Sequence, residues 1–446
     1  MFRTTFGDGD GDGDGDSDGE RGERGRAAER GSAAAPGSRV GATATRRTVT
    51  KSAVVAATLL LAGVGGTGRA RAADGLTMRL PAPTGPHRIG ATTLYLVDCS
   101  RHDPWERIPV REVMATVCYP ARTVSGHPRT PQMTEGAAEL FKEIDTVFFH
   151  PGLPATGVNW AATMTQAHQD APAQPVRRPV LLYSPGGGDP RTLGTHVAEE
   201  LASHGYVVVT IDHPGDTSEV EFPRERQGRD KVRMTVFRGD PRTDPEIFRT
   251  AIGTRVADTR FVLDQLEALA AGHNPDAAGR PLPADLGRAL DLRRAGGYGH
   301  SAGGTAMAET MYEDHRIRAA VNMEGYLDHP PKAPGQEGEL FPVARYGVDR
   351  PLLLLGTEDF TGRQALERSW SALLAHRRGH TRRRQLADAA HWVFTDYAAM
   401  APQLQAAGLM TADSRAELVG AIDPACSVPA VRHHIRTFFD RHLPRH

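Results

Sequence analysis

The chain has 446 residues, 53 basic and 54 acidic side chains and a formal net charge of -1. Such a balance leaves no electrostatic footprint for nucleic acid or an anionic membrane surface, so a small-molecule partner is expected. Three scattered cysteines, Cys99, Cys118 and Cys426, exclude a disulfide framework or a zinc finger. A pairing of Cys99 with Cys118 on neighbouring strands stays open beside isolated thiols.

Residues 1–44 are rich in Gly, Asp, Arg, Ala and Ser, with an alternating Gly-Asp run from Gly7 to Asp16. They have too little apolar surface for a core and are expected to be disordered. Residues 45–72 follow a different pattern. Arg46-Arg47 precedes an apolar segment from Ala53 to Val64, and small residues surround Ala72. An apolar run of about 12 residues is too short to span a bilayer and reads as a twin-arginine export signal. A secreted protein is expected, its catalytic domain filling residues 73–446 and keeping no stable membrane span.

From residue 90 onward, short β-branched runs alternate with helical patterns, the mark of a mainly parallel sheet covered by helices. Strands are predicted at Thr92 to Asp98, Glu112 to Tyr119, Pro179 to Ser184, Tyr206 to Asp212, Arg294 to Gly299, Arg318 to Met323, Pro351 to Gly356 and Arg383 to Ala387, eight in all. Helices are predicted at Thr192 to Ser203, Phe248 to Ala271 and Val431 to His442. Residues 121–174 break the alternation and carry Phe141, Phe148, Phe149 and Trp160. They read either as a cap or as an insertion packed on the side of the sheet.

Gly299-His300-Ser301-Ala302-Gly303 lies between a predicted strand and a predicted helix. A serine on so tight a turn holds its hydroxyl in the open, and the glycines let strand and helix approach closely. Ser301 is therefore the candidate nucleophile. His391, just beyond the last predicted strand, is the candidate base. Ser184-Pro185-Gly186-Gly187-Gly188 follows the third strand. There the Gly187 NH, with the Ala302 NH, is placed to meet a developing oxyanion. For the acid that orients His391 two residues compete: Glu324, ending the strand after the nucleophile, and Asp359, ending the next one. Position alone favours Asp359. Asp212-His213, Asp314-His315 and His433-His434 lack metal-ligand spacing, so no metal or other cofactor is implied.

Tyr298-Gly299-His300-Ser301-Ala302-Gly303-Gly304, Asn322-Met323-Glu324-Gly325 and Ala390-His391 with Phe394-Thr395-Asp396 resemble the secreted platelet-activating-factor acetylhydrolase-like family of α/β-hydrolases, especially its bacterial members. The similarity spans roughly residues 90–442. It implies an α/β-hydrolase fold and a serine esterase or lipase acting on short-acyl lipid or phospholipid-like esters. Because the family carries its acid in an apolar-Asp-Gly segment after the nucleophile, it also favours Glu324, though with glutamate in place of aspartate. The same triad would serve an acyltransferase, and a degenerate hydrolase would only bind a ligand.

Overall fold

A computed structural model describes residues 75–225, 229–333, 335–376 and 380–444. The expected tail and export signal lie outside these residues. In chain order the elements are β1 (Ile89–Asp98), β2 (Arg111–Pro120), β3 (Arg129–Pro131), α1 (Glu135–Ile144), β4 (Met164–Gln169), β5 (Arg178–Ser184), α2 (Thr195–Ser203), β6 (Val207–Asp212), β7 (Glu219–Glu221), β8 (Val232–Met234), α3 (Pro245–Ala270), β9 (Leu290–His300), α4 (Ala302–Glu313), β10 (Ile317–Met323), α5 (Pro342–Tyr346), β11 (Leu352–Thr357), α6 (Arg363–Leu374), β12 (Thr381–Leu386), α7 (Tyr397–Ala406), α8 (Ala412–Val419) and α9 (Pro424–His442).

Continuous apolar runs dictate strands covered on both faces, because successive side chains point to opposite sides of a sheet. In β5, Val180 and Leu182 join a core formed with Val256, Leu263, Met307 and Trp370 of α3, α4 and α6. Leu181 and Tyr183 join the opposite core, formed with Leu201 of α2 and Val431, Ile435 and Phe439 of α9. The same split divides Leu352 and Leu354 from Leu353 and Leu355 in β11. Each fully buried aliphatic side chain stabilises this arrangement by about 1.5–3 kcal/mol relative to exposure. Among the described residues no helix is long and apolar enough to cross a membrane.

The main sheet runs in the order β12-β11-β10-β9-β5-β6-β2-β1-β4-β3. It is parallel from β12 to β6, with β2 antiparallel to both β6 and β1. This is the α/β-hydrolase architecture expected from the sequence. All eight predicted strands are present, but the sheet has ten, because the insertion contributes β4, parallel to β1, and β3, antiparallel to β4. Only two residue pairs join β4 to β1, and so short an edge pairing leaves little periodic signal in the sequence.

The rest of the insertion behaves differently. Phe141 of α1, Leu153 and Trp160 pack with Tyr397, Met400 and Leu404 of α7. One part of residues 121–174 therefore extends the sheet edge, while the other lies against the helix that follows His391. All three cysteines are free. The register sets Cys118 opposite Ala91 and Asp98 opposite Arg111, so Cys99 and Cys118 occupy opposite ends of the β1–β2 pair, out of disulfide reach.

Candidate active site

Ser301 follows β9 and caps α4 with φ 52° and ψ -122°, a backbone conformation that non-glycine residues rarely hold. Its NH donates to the Met323 carbonyl at 2.8 Å and its carbonyl accepts from Thr305 NH at 3.1 Å, which fixes the turn from both sides. A Cβ on Gly299 would run into the Gly303 carbonyl, and one on Gly303 into the Ser184 carbonyl. Both positions of the motif thus need glycine for close approach. Ser301 itself stays partly exposed.

His391 opens a 3-10 turn, His391–Phe394, after β12. Its Nδ1 lies 2.7 Å from Glu324 Oε2, while the histidine side chain is 17% exposed and the glutamate fully buried. Glu324 Oε1 accepts from both the NH and the hydroxyl of Thr357, each at 2.5 Å. Burial raises the Glu324 carboxyl, but the His391 and Thr357 contacts outweigh it and hold the group below its ordinary value. Glu324 has φ 57°. The turn carrying it is clamped by Asn322, whose amide pairs with the NH (2.6 Å) and carbonyl (3.0 Å) of Gly325, and by Trp370 Nε1, which donates to that carbonyl at 2.9 Å.

Asp359 occupies a different place. It is exposed, its NH donates to the Ala389 carbonyl at 3.1 Å, and its carboxylate makes no contact with His391 among the described residues. Its neighbour Phe360 is nearer the chemistry, with its ring stacked on His391 at a centroid distance of 4.8 Å. Phe360 carries no motif signal. Trp392 packs against His300 at 5.1 Å and is half-buried, whereas Phe394 sinks into the core.

A Cβ built on Gly187 would stand 3.7 Å from the Ala302 methyl, so the two residues expected to supply the oxyanion amides are neighbours. A residue that sequence reasoning missed shapes this loop. Arg255 of α3, fully buried, donates to the carbonyls of Pro185 (2.6 Å) and Gly186 (2.8 Å) and pairs with Asp216 (2.6 Å). Asp216 in turn accepts the Gly188 NH at 3.1 Å. Capturing those carbonyls on one side turns the loop's backbone in one fixed direction.

His213, which the sequence suggests as an ordinary loop residue, lies fully buried beneath the same loop. Its Nε2 is 2.9 Å from Ser184 Oγ and its Nδ1 is 3.0 Å from Asp258, which Arg111 holds with two hydrogen bonds. Burial, reinforced by Arg255, pushes the His213 imidazole down to about 4. Asp314 caps the C-terminus of α4 and binds Arg316. A cavity of about 460 Å³ lies between the sheet edge and the insertion, lined by Thr116, Gln132, Glu199 and Glu219, and neither Ser301 nor His391 reaches it.

Residues 77–445 match the family model described as platelet-activating factor acetylhydrolase, isoform II. A probable 1-alkyl-2-acetylglycerophosphocholine esterase of Arthroderma benhamiae is 27% identical over 379 residues, covering 81% of this chain and 87% of the relative. The platelet-activating factor acetylhydrolase of Cavia porcellus is 23% identical over 193 residues, 41% of this chain and 40% of the relative. Among solved structures, a ferulic acid esterase from Streptomyces cinnamoneus superposes with a TM-score of 0.61 at 29% identity, covering 82% of this chain and 94% of that one. The chain belongs to the platelet-activating factor acetylhydrolase, isoform II family of α/β-hydrolases and is a carboxylic ester hydrolase.

Proposed function

We propose that the chain cleaves short-acyl lipid or phospholipid-like esters through an acyl-enzyme on Ser301. The observation that carries this reading is the 2.7 Å contact between His391 Nδ1 and the buried Glu324 carboxylate, with the His391 ring 4.4 Å from that of His300, the residue before the strained Ser301. With Nδ1–H donated to Glu324, Nε2 is the free base. It takes the Ser301 proton as Oγ attacks the ester carbonyl. The Gly187 and Ala302 amides receive the oxyanion, and collapse expels the alcohol, which takes its proton from His391. Water, deprotonated by the same imidazole, then attacks the acyl-enzyme and releases the acid and free Ser301.

Two relatives named for acetyl-ester cleavage on glycerophosphocholine or platelet-activating factor support a short acyl chain on a lipid alcohol. Phe360 stacked on His391 offers an apolar wall beside the scissile bond. Initial rates on p-nitrophenyl esters from acetyl to dodecanoyl, and on an sn-2-acetyl phospholipid, test the reading. It expects Ser301-dependent turnover falling with acyl length and release of acetate from the phospholipid. Preference for a feruloyl ester over the acetyl phospholipid would replace the substrate class while keeping the mechanism. Absence of Ser301-dependent turnover on every ester would remove both.

Export by the twin-arginine route is part of the same proposal, resting on Arg46-Arg47 and the apolar run that follows. Replacing both arginines with lysine should retain the protein inside cells that otherwise export it, as read by fractionation.

A further inference from the structure

A second buried polar cluster lies behind the loop that carries Gly187, and the proposed reaction does not use it. Asp145 opens a π-helical turn, Asp145–Phe149, in the insertion, and His150 ends it. Asp189 ends the glycine loop. The three residues are 0%, 3% and 0% exposed, and one ligand-type atom from each lies within 4.8 Å of the others.

Its hydrogen bonding is incomplete. Asp145 Oδ2 takes the His150 Nδ1 contact at 3.0 Å and the Tyr397 hydroxyl. Among the described residues, Asp145 Oδ1, His150 Nε2 and both Asp189 oxygens have no hydrogen-bond partner. His300 Nδ1, also without a partner, faces an Asp189 oxygen at 3.6 Å. Because His300 Nε2 lies 3.0 Å from the His391 carbonyl, Nε2 carries the proton and Nδ1 presents a lone pair. Three carboxylate oxygens and the His300 Nδ1 lone pair are thus gathered in a buried space where no hydrogen bond among the described residues meets them, an arrangement folded proteins seldom leave uncompensated.

We propose that Asp145, His150 and Asp189 bind one divalent cation, which ties the insertion to the loop bearing Gly187. Ligands sharing one such ion at about 2.0–2.4 Å stand roughly 3–4.8 Å apart, the spacing found here. One imidazole with two carboxylates suits zinc or manganese. Val147 and Phe148, 58% and 60% exposed on the intervening turn, place the cluster one layer beneath the surface, where an ion has a short way in. Sequence spacing conceals the set, since its members come from one turn and a distant loop.

Cation binding is independent of the catalytic reading; its effect on the oxyanion loop rests on that reading. The test takes the full chain purified without chelator and measures bound metals by mass spectrometry. Tm is then followed after chelation and on adding zinc, manganese or calcium separately. The expected result is about one ion per chain, with Tm rising by about 4 °C when the ion is restored at a hundredfold excess over its Kd. His150→Gln and Asp189→Asn should lose both effects, while Glu139→Gln, an exposed carboxyl on α1, keeps them. Trp392, whose ring is 4.2 Å from that of His150, should change its fluorescence on titration. A wild-type chain that carries no metal and shifts with none of the three ions overturns the proposal. So does unchanged binding in both cluster variants, whatever the esterase activity.

Discussion

Two buried carboxylates stand at opposite ends of one line of side chains, Glu324–His391–His300–Asp189. The ends differ in what meets them. Glu324 has both oxygens engaged, by His391 and by Thr357, and its carboxyl is held below its ordinary value. Asp189 has neither oxygen engaged, and burial pushes it up to about 7, with His150 opposing the rise. Equal burial therefore gives opposite electrostatics. The number and sign of the partners decide whether a carboxylate can steady a cationic imidazole.

The comparison can be broken most sharply at Ser301, the proposed nucleophile. Ser301→Ala should lower kcat/KM on p-nitrophenyl acetate by about ten-thousand-fold or more with the circular dichroism spectrum unchanged. At the compensated end, Glu324→Gln should cost about a thousandfold in kcat, because a neutral amide cannot stabilise the imidazolium, while Asp359→Asn should stay within about twofold. The reverse ranking would transfer the acid's role to Asp359.

A buried imidazole with both ring nitrogens engaged, by Ser184 Oγ and by Asp258, sharpens the contrast further. His213 falls from 6.5 to about 4 in the fold, so the unfolded chain binds its proton more readily. Stability from this group is complete above pH 6.5 and is lost as pH falls towards 4. The loss should reach up to about 3 kcal/mol in chemical denaturation at the two pH values, and His213→Gln should show a flatter profile. The smallest effect is expected from Thr357→Val, which removes one of the two donors to Glu324 Oε1 and leaves the backbone NH. A fall in kcat of about three- to tenfold, with KM unchanged, would mark Thr357 as a positioning residue.

Sequence alone determined what local rules govern. Apolar runs covered on both faces specified eight strands, and Gly299-His300-Ser301-Ala302-Gly303 between strand and helix specified a tight turn, because close backbone approach there admits only glycine. The placement of β3 and β4 was not legible, since short edge strands carry little periodicity. Tertiary structure alone decided which carboxylate meets His391. Glu324 and Asp359 both end strands in the right region, and only the register of β10 beside β11, with the left-handed turn at Glu324, swings one of them under the imidazole. It also decided the neighbours of Asp189 and the hydrogen-bond partners of Arg255 and His213, which come from segments dozens of residues away. Hydrogen bonding and charge compensation depend on distance in space, which a local pattern in the chain does not encode.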